Sequence, residues 1–149
     1  MSKIAYDADF YGWANEQAAL LRAGNLSAAD IEHIAEEIES MGRSEKRELT
    51  NRLAVLLAHL LKWQHQPGLR GSSWRLSIEN TRDELVRHMA DNPSLKPHVG
   101  EAMADAYRRG RRTAAAETGF LDSTFPAACP WPFEQTMDEA FWPGQDETP

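Results

Sequence analysis

The chain has 149 residues, 42% of them hydrophobic, with one cysteine and a formal net charge of −7. This length predicts one domain that can bury a core without disulfides or a metal. A lone Cys129 excludes an internal disulfide framework, and the longest apolar run, Leu53–Leu61, falls far short of the roughly 20 residues that cross a bilayer. No basic-then-apolar leader opens the sequence, so a soluble protein of a reducing, cytoplasmic compartment is expected.

The charge is unevenly placed. Met1–Gly42 carries net −6, Arg43–Arg112 net +6 and Thr113–Pro149 net −7. The acidic ends are expected to lie beside the basic middle, which argues against a dedicated nucleic-acid groove.

In chain order, Asp7 or Asp9 caps a first helix through Phe10, Trp13, Ala14, Leu20 and Leu21, stopped at Gly24. Ser27 and Asp30 read as a capping-box variant, with Leu26 stapled onto Ile31. The second helix they start shows Ile31, Ile34, Ile38 and Met41 on one face, and Gly42 is expected to end or bend it. Ser44 then caps a third helix with the most apolar stripe of the chain, Leu49, Leu53, Leu56, Leu57, Leu60 and Trp63, which should centre the core. Pro67 and Gly68 stop it. Ser72 or Ser73 caps a fourth helix through Ile78, Leu85, Val86 and Met89 to Asp91. A fifth begins near Ser94–Pro97 and runs through Val99, Met103, Ala106, Tyr107 and Ala114 to Gly119; its small-residue face predicts a close neighbour.

Beyond Phe120, prolines 126, 130, 132 and 143 forbid a long helix and leave one or two turns around Glu134–Ala140. Phe125, Trp131, Phe133, Phe141 and Trp142 are too apolar for a free tail, so the segment should cross the bundle as an aromatic strap. The ordered core then covers about residues 7–143, with 144–149 a flexible tail. The predicted class is all-α: a single-domain helical bundle of about five main helices plus an irregular, proline-rich C-terminal strap, with no strand or repeat.

The segments DFYGWANEQAALLRAG, AEEIESMG, LLKWQHQP, the Ser73-Trp74 pair, Ile78-x-x-x-Arg82, CPW and the terminal FWP together resemble the bacterial family known as domain of unknown function twenty-nine, over about Asp9 to Pro143. The resemblance implies a mostly helical bacterial domain and no particular activity. It marks Lys62, Trp63, Gln64, Pro67, Trp74 and Arg82 as part of the family pattern.

No metal or cofactor is expected. A di-iron helix carries Glu-x-x-His, whereas His33-Ile34-Ala35-Glu36 has the reverse order and no second copy. His59 and His65, six apart, fall on opposite sides of a helix, so a metal at His59 would need His33, Glu36, Glu37 or His88 from elsewhere. Cys129, between Ala128 and Pro130 in acidic surroundings, reads as a structural thiol. The sequence singles out no catalytic residue, and nucleophile-elbow, phosphate-loop and dinucleotide motifs are absent.

The densest cluster of chemistry lies between His59 and Leu85. Lys62, Trp63, His65, Arg70, Ser73, Trp74, Arg75 and Arg82 either build a small polar pocket with a helix start able to hold an anion, or form only a helix corner in which the indoles pack and the serines cap. The corner is the simpler expectation. The run RRGRR at Arg108–Arg112 spreads around a helix and reads as a solvated face. These observations lead to a non-enzymatic protein-interaction module with a protein partner, self-association included. The alternatives are a ligand-binding or enzymatic domain using the Trp63–Arg82 corner, and a nucleic-acid-associated protein using the basic middle.

Overall fold

The computed structural model describes residues 4–144; residues 145–149 of the segment read as a tail lie outside the described residues. The described chain is all-α. Its helices are α1 (Phe10–Arg22), α2 (Ile31–His65), α3 (Ser72–Asp91), α4 (Val99–Thr118) and the short α5 (Phe133–Met137), with 3-10 turns at Pro67–Leu69, Pro93–His98 and Asp122–Thr124. They gather in two compact units that divide between Ser44 and Glu45, inside α2.

Two expected helices are therefore one. The helix runs through Gly42, and Ser44 starts nothing. A glycine inside a helix costs about 1 kcal/mol against the roughly 3 of a proline, and Arg43 to Glu48 supplies mostly good helix formers. Nothing at this point is strong enough to break 35 residues of continuous hydrogen bonding. The start of α2 also differs from expectation. Asp30, not Ser27, accepts the backbone N–H of His33 (3.3 Å), while the Ser27 hydroxyl donates to Asn25 Oδ1. Tertiary partners decide this, because the Asp30 backbone N–H is held by Gln17 Oε1 at 2.7 Å and its carboxylate by the Trp13 indole N–H at 3.0 Å.

The first unit contains α1 and the first part of α2. Asp9 caps α1 through Gly12 N. The helix ends in a reciprocal pair of bonds, Gly24 N to Leu21 O and Asn25 N to Leu20 O, which requires the left-handed backbone of Gly24 (φ +73°). What holds the unit together is a cluster of rings and polar groups. Tyr6 stacks on His33 with centroids 4.1 Å apart, meets Trp13 edge-on and donates its hydroxyl to Glu37. His33 Nδ1 lies 2.7 Å from the Asp30 carboxylate. Trp13 is the single buried hydrophobic residue among the described residues of this unit.

The second unit holds the core. Leu49, Leu53, Leu56, Leu57, Leu60 and Leu61 of α2 are fully buried against Ile78 and Leu85 of α3 and the small face of α4. That small face has a geometric reason. A Cβ on Gly110 would meet Ala54 O at 2.9 Å and Ala58 N at 3.2 Å, so α4 lies directly on the α2 backbone. Phe125 and Trp131 join the same cluster, with Phe133, Phe141 and Trp142 packed partly against it. The C-terminal segment is thus a strap built into the core.

Leu56→Ala and Leu60→Ala should each lower the unfolding free energy by about 2 to 5 kcal/mol. Gly110→Ala should lower it by about 1 to 3 kcal/mol, although alanine favours helix, because overpacking outweighs propensity. Urea denaturation checks all three. The Asp30–His33 pair predicts a pH response. Its hydrogen bond to Asp30 raises the pKa of His33, and that same bond lowers the pKa of Asp30. The His33 contribution is complete below the usual histidine value of about 6.5 and is lost as pH rises through its raised folded value; that of Asp30 is lost as pH falls through its lowered one. Hydrogen exchange of α1 amides, corrected for intrinsic rates, should show weaker protection at pH 8.5 than at pH 6.

Candidate functional site

The strap presents an accounting problem. It is largely non-helical and interrupted by prolines that carry no N–H, so its carbonyls lack the partners that a helix supplies. The residues that satisfy them are those singled out in the sequence. Arg82 of α3 is 1% exposed. Its Nε donates to Thr136 O and its Nη2 to Phe141 O, both at 2.9 Å. Its guanidinium also lies 5.5 Å from the Trp142 ring centroid. Burial pushes the Arg82 pKa down, opposed by the charges of Asp138, Glu139 and Glu79, and its buried Nη1 has no hydrogen-bond partner.

A second arginine fastens the end of the strap. Arg70 Nε donates to Trp63 O at 2.6 Å and Arg70 Nη2 to Pro143 O at 3.3 Å. Gly144 follows in a left-handed conformation (φ +91°), and a Cβ there would sit 2.6 Å from Arg70 Nη2. The Trp142 ring is 4.7 Å from that of Trp63, with the Arg75 guanidinium 4.6 Å from its centroid. Lys62, 8% exposed, donates to Glu117 Oε1 at 2.6 Å and lies 5.2 Å from the centroid of the Trp74 ring.

Six of the eight sequence candidates, Lys62, Trp63, Arg70, Trp74, Arg75 and Arg82, thus come together around this corner, where the arginines among them grip the chain's own C-terminal segment. His65 and Ser73 do not join them. The His65 ring turns to Leu61 O and Phe125, while Ser73 is exposed. The N-cap of α3 is Gly71 with no side-chain cap bond, so neither Ser72 nor Ser73 caps the helix; both fall within its first turn. Sequence reasoning missed Trp142 and Pro143 as partners of the corner. Their only signal was the terminal Phe-Trp-Pro, which carries no information about where the strap lands.

The predicted pairing of acidic ends with the basic middle holds in the second unit at Lys62–Glu117. The other ion pairs of the middle are made within it, as in Arg52 with Glu48 and Glu84 and Arg108 and Arg109 with Asp105. Among the described residues no group of three or more His, Cys, Asp or Glu is placed to hold a metal ion. No helix is long and apolar enough to cross a membrane. Burial pushes the Cys129 thiol pKa up, and its Sγ donates to Trp131 O. Burial likewise pushes Tyr107 up to about 12, and its hydroxyl is bonded to Pro126 O at 2.6 Å.

The model of a family described as a domain of unknown function, DUF29, matches residues 5–142. No curated protein and no solved structure matches the chain.

Replacing Arg82 with lysine should cost about 3 kcal/mol, nearly as much as Arg82→Met, because one ammonium cannot reproduce the guanidinium's two directed bonds. A double-mutant cycle between Arg75 and Trp142 should return a coupling of about 0.5 to 1 kcal/mol, the size of an exposed cation–π contact. Both are read from denaturant unfolding.

Proposed function

We propose that this chain, which belongs to the DUF29 family, is a protein-interaction module whose first unit receives an amphipathic, basic helix from a partner protein. The observation that supports the reading is the apolar face of α2. Ile31, Ile38 and Met41 are 52%, 58% and 61% exposed. Their spacings of seven and three residues align them along one side of the helix. Of the thirteen large exposed hydrophobic residues described, seven fall in this short first unit, whose one buried hydrophobic among the described residues is Trp13. Such concentration is characteristic of association surfaces.

Charge supports the choice of partner. Glu32, Glu36 and Glu39 are exposed on other faces of the same helix, and the unit is strongly acidic. A helix carrying leucines along one face and a net positive charge from lysines or arginines matches both features. A second copy of the same acidic unit would bring like charges together.

The test is calorimetric titration of the full chain with a synthetic leucine–lysine amphipathic peptide, compared with the Ile38→Asp/Met41→Asp variant. Wild type should bind with a negative heat-capacity change, and the variant should lose at least tenfold in affinity although its charge is more favourable. Equal or tighter binding by the variant would reduce the attraction to charge alone and end the proposal. A wild-type dimer in sedimentation, dissociated by the same substitutions, would reassign the face to a second copy.

A further inference from the structure

The arginine run of α4 does something its sequence did not suggest. Gly110 faces the α2 backbone, which orients its neighbours. Arg108, Arg111 and Arg112, spaced i, i+3 and i+4, line a groove of about 390 Å³ together with Tyr107. The opposite wall is the segment after α4, with Asp122, Ala127, Ala128 and Cys129, and Ala104 completes the lining. The volume lies within the range of small-molecule sites.

The electrostatics of this groove are unbalanced. Three guanidinium groups face one carboxylate, Asp122, and no ion pair joins Asp122 to any of them among the described residues. Arg108 shares Asp105 with Arg109. Among the described residues Arg111 has no carboxylate partner: its Nη2 donates to Phe125 O at 3.2 Å, and its buried Nε has no acceptor. A buried orphan donor on a cation is costly and calls for an acceptor. Arg112, beside it, has no hydrogen-bond or ion-pair partner among the described residues. The lining is otherwise alanine methyls and the body of Tyr107, which would suit an apolar group carried by the anion.

We infer that this groove is a binding site for a small organic anion, a phosphate ester or a carboxylate, whose oxygens bridge Arg108, Arg111 and Arg112 while its apolar body rests on Ala104, Ala127 and Ala128. Planar guanidinium forks present paired donors to either head group. A phosphate ester can engage three arginines at once, whereas a carboxylate offers two oxygens. Phosphate is therefore the better fit of the two.

The experiment titrates the full chain with phenyl phosphate and, separately, benzoate, at low millimolar concentration and constant ionic strength. Melting temperature and the alkylation rate of Cys129, the single cysteine, are the readouts. Wild type should show a saturable rise in melting temperature and protection of Cys129, stronger for phenyl phosphate if the head group is a phosphate and stronger for benzoate if it is a carboxylate. Arg108→Gln/Arg112→Gln changes two exposed side chains and should weaken binding at least tenfold without lowering the unliganded melting temperature. Arg109→Gln, outside the groove lining, should bind as wild type does. A rise that is unsaturable and equal in wild type and the double variant would be general exclusion from the surface and would overturn the proposal, as would absence of binding. Tighter, strongly salt-dependent binding of a single-stranded oligonucleotide, lost in the same variant, would replace the small-molecule site with a nucleic-acid surface.

Discussion

A proline-rich segment has more hydrogen-bond acceptors than donors, and a segment buried against a core cannot leave the surplus unpaired. Arginine is the complementary residue, since its guanidinium carries five N–H donors and no acceptor. Four arginine bonds meet this demand: Arg82 to the carbonyls of Thr136 and Phe141, Arg70 to Pro143 and Arg111 to Phe125. The Tyr107 hydroxyl supplies a fifth donor, to Pro126. The second unit depends on this match, because Phe125 and Trp131 can complete the core only if the backbone that carries them is satisfied.

Taking a guanidinium out of water is expensive unless its donors are used. Arg82 meets that condition only in part, since Nη1 keeps no partner, and the nearby charges of Asp138, Glu139 and Glu79 oppose the effect of burial. Tilted ring contacts and cation–π contacts do the remaining positioning. Trp142 lies against Trp63 and beneath Arg75, and Arg82, which binds the strap's backbone, also lies over the Trp142 ring. Six of the residues that suggested an anion pocket in sequence thus make contacts within the chain.

The two units are stabilised by different means. The second buries a leucine stripe with a tightly apposed glycine on α4, and its stability is one of packing density. The first relies on Tyr6, Trp13, Asp30 and His33 and leaves Ile31 and Ile38 exposed. A unit this small cannot surround all of its own apolar residues. What remains exposed is the apolar side of α2 formed by Ile31, Ile38 and Met41.

The sequence by itself determined the helical class, the end of α3 at Asp91, the stop at Pro67 and the buried leucine stripe. Each follows from local rules of periodicity, proline chemistry and burial. The aromatic content of the last thirty residues also announced that the strap would be buried. Tertiary structure decided the rest. Gly42 did not interrupt α2, because a weak propensity yields to its neighbours. Asp30 replaced Ser27 as the cap, because Trp13 and Gln17 reach it from α1. The strap partners of Arg70 and Arg82 lie more than fifty residues away in sequence and are backbone carbonyls. A carbonyl is present at every residue and leaves no mark in the sequence, so only the folded path of the strap could reveal which ones these arginines bind.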